Sequence, residues 1–383
     1  VMTLYFICFF LLISINYIAE KACYKKEFIL VFSFFFMACF VGFSDMLGGY
    51  DRYIYGELFD DLADVIKGGG KYQDAIISKV YSSEYGYIGS NMLISSVTSN
   101  RYIFILIYTL VVYVLFYFSI RNYCYDYLLA LILFMGLMYF FTFTYLRQMM
   151  GVGIAWLSFR YIYKRSLYKF IVCVLLAASF HNSAIILLPL YFIPIRKHNK
   201  KNIIIFMFIC LIVGLTGGPS ALFRVYGDVA DMQARSDSYI EKEIGFKFEY
   251  IIEACVFLYF LLKNYSFLSN SKKDLVMQNA LLAFCAILLL FVKSLNGGRL
   301  GWYYLIGVIA TFSNLDYRLS ITKSTKAIIA GISLVLFIRI LVQWDYMLSP
   351  YKTFLTNGVR DYDPVYDKYE YDQNYAIDKF YRK

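Results

Sequence analysis

Long apolar runs recur from one end of this 383-residue chain to the other and restrict the folds open to it. Hydrophobic residues make up 60% of the chain and its mean hydropathy is +0.58, more than a soluble domain of this size carries. A helix needs ~20 mainly apolar residues to cross the hydrocarbon core of a membrane. The sequence therefore predicts an all-α, polytopic transmembrane protein.

About 12 runs approach the length of a span, and together they predict a transmembrane domain over residues 1–344. A tail rich in Tyr and Asp follows over residues 345–383 and is expected to be an external appendage. The predicted spans cover residues 3–19, 28–44, 102–120, 127–146, 148–163, 167–181, 183–195, 202–217, 247–262, 275–292, 301–315 and 326–344.

The charges between these spans predict an orientation. Residues 45–84 carry eight acidic against four basic residues, and residues 218–246 carry five against three, so both connections are expected to be external loops. Lys and Arg concentrate in the cytoplasmic connections of membrane proteins. This explains the net charge of +10, so no nucleic-acid partner is expected. The connections predicted to be cytoplasmic are 20–27, 164–169, 196–201, 263–274 and 316–326.

Residues 85–100 decide how the following spans are oriented. The segment is short, half apolar and rich in Ser, Asn and Gly. If it crossed the membrane, the basic connection at 164–169 would lie outside. We therefore predict a re-entrant or interfacial helix on the outer side, which is tolerated only where it packs in protein or lines a wet cavity. This topology puts both termini outside.

Three polar residues then fall at external ends of predicted helices: Arg147, His181 and Arg299. Ionisable side chains at membrane depth are costly and are functional candidates by default. Each also has a simpler interpretation: interfacial snorkelling for the two arginines and a buried neutral ring for His181. If all three lie on the same side of the membrane, they can form one cationic site suited to phosphate. Gly297 and Gly298 leave backbone N–H groups free to approach an anion beside Arg299.

Acidic residues accompany this site at the mouth of the external loop. Asp51 and Glu84 are flanked by aromatic residues, which favours sugar-hydroxyl binding or base catalysis. We expect the other carboxylates of the loop to be solvated; these are Asp60, Asp61 and Asp64.

Five short motifs, in their order along the chain, resemble the EpsG-type, Wzy-like polysaccharide polymerases. The resemblance covers roughly residues 40–305, and Ser44-Asp45 stands where the family usually has an arginine. The motifs are Gly49-Tyr50-Asp51 with Tyr55, Glu84-x-Gly86-Tyr87, Leu146-Arg147-Gln148, Phe180-His181-Asn182-Ser183-Ala184, and Arg299 with Tyr303.

The resemblance implies a GT-C-like fold in the bacterial cytoplasmic membrane and a metal-independent glycosyltransferase without a cofactor. Such an enzyme polymerises undecaprenyl-pyrophosphate-linked oligosaccharides on the outer face, alongside a flippase and a chain-length regulator. The residues implied for catalysis are Arg147, His181, Arg299, Asp51 and Glu84. Those implied for substrate binding are Tyr50, Tyr55, Gln148, Asn182, Tyr303 and Asp45.

Two other function classes stay open at this point. A membrane O-acyltransferase acting on polysaccharide would use His181 as its base, but it would favour access from the cytoplasm or through a tunnel. A flippase for lipid-linked oligosaccharides would carry cations at several depths, whereas the three candidates here are predicted at one face.

Overall fold

A computed structural model describes residues 2–22, 26–45, 50–217, 246–294, 297–315, 320–349 and 351–355. The acidic connection 218–246 therefore lies almost wholly outside the described residues, as does the tail beyond residue 355. The α-helices are α1 (Met2–Lys21), α2 (Lys26–Gly42), α3 (Tyr50–Lys67), α4 (Ile76–Val80), α5 (Tyr85–Ser95), α6 (Arg101–Tyr123), α7 (Tyr127–Leu137), α8 (Leu146–Tyr163), α9 (Leu167–Phe180), α10 (Lys200–Leu215), α11 (Phe248–Lys263), α12 (Lys272–Leu290), α13 (Gly297–Gly301), α14 (Leu305–Ser313), α15 (Ser320–Gln343) and α16 (Asp345–Leu348).

The described part of the chain is helical and contains no β-strand, in agreement with the predicted class. Within the described residues, four helices are long and apolar enough to cross a membrane: α1, α6, α12 and most of α15. Several shorter helices, such as α7 and α9, are also apolar. The chain is therefore a helical membrane protein, and the number of about 12 spans stays a prediction.

Three of the predicted spans, 127–146, 183–195 and 301–315, are not continuous α-helices. Tight 3₁₀ turns replace or interrupt them at Tyr139–Phe143, Asn182–Phe192 and Trp302–Tyr304. In the second, Pro189 has no N–H to donate, which disfavours an α-helix there. Composition alone gave no sign of the other two breaks, which come at aromatic runs.

Side chains engage the carbonyl groups at two of these breaks. Arg52 donates to the Phe143 carbonyl at 3.2 Å. The Trp156 indole N–H donates to the Trp302 carbonyl at 3.0 Å. Irregular backbone in a membrane protein is stable only when its polar groups are satisfied within the protein. These contacts therefore stabilise the two turns, which lead into α8 and α14.

The basic connections meet at one end of the helix bundle. Within the described residues, polar contacts join the ends of α2, α6, α7, α10, α12 and α15 there. These contacts are Arg121–Glu27 at 2.8 Å, Lys326–Asp126 at 2.9 Å, Lys273 Nζ to the Asn122 carbonyl at 3.3 Å, and Lys197 Nζ to the Leu268 carbonyl at 3.2 Å. Arg165 lies in the 164–169 connection and donates to the Tyr191 carbonyl at 2.8 Å.

The acidic connection 45–84 contains α3 and α4. It lies at the opposite end of the bundle, next to the start of α6. The prediction that Asp60 is solvated is wrong. Asp60 is 4% exposed and accepts a hydrogen bond from Arg101 Nε at 2.7 Å, so the pair ties α3 to the start of α6. Desolvation of an unpaired carboxylate would be costly, which explains the pairing. Asp61 is half-buried and accepts from the Ile76 N–H at 2.6 Å, whereas Asp64 is exposed as expected.

Helix α5 occupies most of the segment 85–100, whose topology was ambiguous. Its 11 residues extend only ~16 Å at ~1.5 Å per residue, about half of a hydrocarbon core of ~30 Å. It packs against α3 and α9. This length is compatible with the outer-side position, which stays a prediction.

The first part of the tail packs against the bundle instead of forming an appendage. Thr353 pairs with Ser44 at the end of α2, and the Phe354 N–H donates to the Phe43 carbonyl at 3.1 Å. Residues 351–355 are called the C-terminal strap below.

The predicted orientation can be tested by labelling from outside intact cells. In a protein without native cysteines, Lys200→Cys should stay unlabelled by an impermeant maleimide because the basic end is expected in the cytoplasm. Lys71→Cys, on the exposed surface of the opposite end, is the matched control and should be labelled. A reporter fused after Arg101 should read out an external position. Strong labelling of Lys200→Cys in intact cells would contradict the orientation.

Candidate functional site

Arg147 lies in the first turn of α8 and pairs with Glu84, the residue before α5. The Glu84 side chain is 2% exposed and that of Arg147 is 13% exposed, so the pair is largely shielded from solvent. The Arg147 guanidinium lies over the Tyr81 ring, 3.8 Å from its centroid. Glu84 also accepts from the Asn182 N–H at 3.3 Å. The carboxylate and the ring fix the guanidinium in one direction.

His181 follows the last residue of α9 and has an extended backbone. Its Nδ1 lies 2.6 Å from the Ser183 hydroxyl and 3.4 Å from the Tyr303 hydroxyl. Those two hydroxyls are 3.0 Å apart. His181, Ser183 and Tyr303 therefore form a triangle of groups that can exchange donor and acceptor roles, and the tautomer of the ring depends on it.

Arg299 lies in the short helix α13, next to the start of α8. Its guanidinium is 4.1 Å from the centroid of the Tyr145 ring. Its backbone carbonyl accepts from Gln148 Nε2 at 3.0 Å. A Cβ added at Gly298 would lie 3.2 Å from the Tyr250 hydroxyl, so close packing accounts for this glycine.

Asp51 lies within electrostatic range of both arginines. It lies in the first turn of α3, is half-buried, and interacts electrostatically with both Arg299 and Arg147. Burial raises the pKa of the Asp51 carboxyl above its usual range, and the two positive charges act against that rise. One turn further along α3, Tyr55 interacts with Arg147.

The structure thus brings together most of the residues singled out in the sequence, although their roles stay predictions. Asn182 joins them through a 2.8 Å hydrogen bond from its amide to Ser83. Asp45 is 1% exposed, and its N–H donates to the Lys352 carbonyl at 2.9 Å. The Tyr50 side chain lies outside the described residues.

Sequence reasoning missed Ser183, Tyr81 and Tyr145. Ser183 stands within the Phe180–Ala184 motif, so its proximity to His181 was a usable signal. The chain contains 39 Tyr and 36 Phe, so composition does not single out Tyr81 or Tyr145. Their contacts with Arg147 and Arg299 depend on the fold.

Gly86, two residues after Glu84, packs closely against the end of α9. A Cβ added at Gly86 would lie 2.9 Å from the Phe180 ring and still closer to the Ser179 hydroxyl. We expect Gly86→Val to destabilise the protein by ~1–3 kcal/mol through overpacking and to lower activity. The measurement is the Tm of purified protein together with its activity. Gly89→Val is the matched control on the same helix because nothing lies within 4 Å of its added Cβ. Equal effects at both positions would contradict the prediction.

The arrangement combines two fixed guanidinium groups, an imidazole with hydroxyl neighbours, and a half-buried carboxylate. All belong to the end of the bundle opposite the basic connections. Such a group can bind a pyrophosphate through the cations and accept a proton from a hydroxyl group nearby.

One comparison with known proteins finds a match. The model of the EpsG family matches residues 27–355, a range that includes most of α2, the whole site and the C-terminal strap. No curated protein and no solved structure matches the chain.

Proposed function

The chain belongs to the EpsG family, and on this premise we propose that it polymerises undecaprenyl-pyrophosphate-linked oligosaccharide repeat units. The reaction takes place on the outer face of a bacterial cytoplasmic membrane. The growing glycan is transferred from its lipid carrier to the non-reducing end of a new lipid-linked unit. One observation carries the proposal: Gln148, next to Arg147 in α8, donates to the Arg299 carbonyl at 3.0 Å, so both arginines lie at one end of the bundle.

The two arginines hold the pyrophosphate of the donor. Guanidinium groups present paired N–H donors at permanent charge, which suits phosphate oxygens. Arg147 is directed by Glu84 and Tyr81, and Arg299 by Tyr145, so little reorganisation is needed when charge develops on the leaving group. His181 supports them by donating a hydrogen bond.

The bond changes are those of a glycosyl transfer. The acceptor hydroxyl oxygen forms a bond to the anomeric carbon of the donor sugar as the bond from that carbon to the pyrophosphate oxygen breaks. The electron pair leaves with undecaprenyl pyrophosphate, whose negative charge Arg147 and Arg299 stabilise. The hydroxyl proton passes to a carboxylate.

Asp51 is the better base of the two candidate carboxylates. Glu84 is committed to Arg147 and to the Asn182 N–H, and its side chain is 2% exposed. Asp51 is half-buried, and burial raises its pKa towards the range where a base works efficiently. We therefore assign Glu84 to positioning Arg147 and Asp51 to proton transfer.

Reconstitution with purified components tests the proposal. The protein is placed in proteoliposomes with undecaprenyl-pyrophosphate-linked repeat units, and the glycans are separated by length. We expect products of two or more repeats and stoichiometric release of undecaprenyl pyrophosphate. Intact substrate after incubation with folded protein would contradict the polymerase assignment.

Cells that lack the protein distinguish the alternatives. A polymerase defect leaves single lipid-linked units on the outer leaflet, whereas a flippase defect leaves them on the inner leaflet. An O-acyltransferase defect leaves polymer of normal length without its acyl groups. Leaflet location is measured by the access of an added glycosidase or lectin to intact cells.

A further inference from the structure

The C-terminal strap lies against the segment that connects α2 to α3. Ser44 and Thr353 face each other, with hydrogen bonds on either side: the Asp45 N–H donates to the Lys352 carbonyl at 2.9 Å, and the Phe354 N–H to the Phe43 carbonyl at 3.1 Å. The strap therefore forms one short antiparallel pairing with the residues that follow α2.

Two aromatic residues anchor the strap on both sides of this pair. Tyr351 stacks on Phe40 with ring centroids 4.3 Å apart, and its hydroxyl donates to the Phe40 carbonyl at 2.7 Å. Phe354 is 3% exposed and stacks on Tyr102 of α6 at 5.5 Å. Such aromatic pairs stabilise a folded protein by more than the burial of their apolar surface alone contributes. The strap thus joins α2 to α6.

Arg52 holds the same segment from the inside. It is fully buried, and its guanidinium donates to the carbonyls of Val41 at 3.0 Å, Ser44 at 3.1 Å and Phe143 at 3.2 Å. Ser44 is therefore held twice, by Arg52 through its carbonyl and by the strap through its pairing with Thr353.

Arg52 also connects two parts of the site. It immediately follows Asp51 in the first turn of α3, and its acceptor Phe143 stands four residues before Arg147. The Tyr351 hydroxyl of the strap donates to the Phe40 carbonyl, and Arg52 donates to the carbonyl of the next residue, Val41. A shift of the strap therefore moves the segment that fixes Asp51 relative to Arg147.

We propose that Arg52 and the C-terminal strap are positioning elements that fix the start of α3, and with it Asp51, relative to Arg147. The inference rests on the proposed function, because it assigns the strap to proton transfer in that reaction. Displacement of a catalytic group by about 1 Å can cost on the order of 10²-fold in rate. Loss of the strap should therefore lower kcat and leave the KM for the donor unchanged, because the donor is held by Arg147 and Arg299.

A reversible disulfide tests this inference. In a cysteine-free protein in proteoliposomes, Tyr351→Ala with Phe354→Ala loosens the strap, and Ser44→Cys with Thr353→Cys adds a bridge that restores it. Directly opposed residues in a pair without mutual hydrogen bonds approach closely enough for a disulfide. We expect the double alanine variant to lose about tenfold to 100-fold in kcat, with the KM for the donor within about twofold of wild type.

Oxidation of the quadruple variant should recover most of the lost kcat, and reduction should remove it again. Formation of the disulfide is confirmed by mass. Tyr346→Ala, on the exposed side of α16, is the matched control and should keep wild-type rates. Arg52→Lys keeps the charge but loses the planar guanidinium with its several N–H donors, so it should also lower kcat. It provides a second variant if the double alanine variant does not fold.

The outcomes separate the two proposals. A wild-type kcat in the double alanine variant, a loss confined to KM, or an oxidised bridge without recovery would each overturn the positioning role. Wild-type protein that extends no glycan would overturn the proposed function, and the positioning role with it.

Discussion

Arg147→Ala should abolish long glycan while leaving single lipid-linked repeat units in the membrane at normal protein levels. Arg147 is fixed by Glu84 and by the Tyr81 ring, so it acts as a preorganised donor to the charge that develops on the leaving pyrophosphate. Loss of one such donor costs on the order of 10²–10³ in rate. The measurement is the length distribution of lipid-linked glycans in cells and the rate in proteoliposomes.

Three further variants separate charge from geometry. Arg147→Lys keeps the charge but loses the planar fork, so it should still damage activity. Glu84→Gln should also slow the reaction because the guanidinium loses its ionic partner. Arg160→Ala is the matched control, since Arg160 is exposed on the same helix near its other end. Polymer of wild-type length in Arg147→Ala cells would remove Arg147 from the mechanism.

His181→Ala and Arg299→Ala are expected to give the same accumulation of single units. Arg299 contacts the Tyr145 ring, and His181 lies in the triangle with Ser183 and Tyr303. If only Arg147→Ala had this effect, the shared site would be contradicted even though Arg147 itself was essential.

The sequence was informative about the site because helix ends carry positional information. Arg147, His181 and Arg299 each stand where an apolar run begins or ends, and the charged connections predict which ends lie together. The structure brings the Arg147 and Arg299 segments together through the hydrogen bond from Gln148 to the Arg299 carbonyl, and it places His181 next to Tyr303. That result needed only the order of the spans and no knowledge of how the helices pack.

Contacts between distant segments could not be predicted in this way. The sequence predicts that Asp60 is one of several solvated acidic residues, yet it is buried against Arg101, 41 residues further along the chain. The sequence predicts Arg52 only as one basic residue of an acidic loop. It predicts the strap only as part of an external appendage. Each of these depends on which faces of α2, α3 and α6 meet, and periodicity in a chain so uniformly apolar does not define those faces.

Asp51→Asn is expected to lower kcat by about 10²–10⁴-fold, because general-base assistance contributes in this range. The substitution keeps the size of the side chain and removes its ability to accept a proton. The donor is held by Arg147 and Arg299, so its KM should change little. Rates are measured in proteoliposomes with both substrates varied.

The pH dependence of kcat tests whether Asp51 is the base. Burial raises the pKa of the Asp51 carboxyl and the charges of Arg299 and Arg147 oppose that rise, with the net shift upward. A base must be deprotonated to act, so wild-type kcat should fall as the pH drops through this raised pKa. The acidic limb should therefore lie at a higher pH than that of an ordinary aspartate, and it should be absent in Asp51→Asn.

Asp61→Asn is the matched control, since Asp61 belongs to the same helix but contacts the Ile76 N–H at a distance from the arginines. It should retain both the wild-type kcat and the acidic limb. If Asp51→Asn kept the limb, the titrating group would be another carboxylate, with Glu84 as the remaining candidate. In that case Glu84→Gln should remove the limb, and its pairing with Arg147 would have to open during turnover.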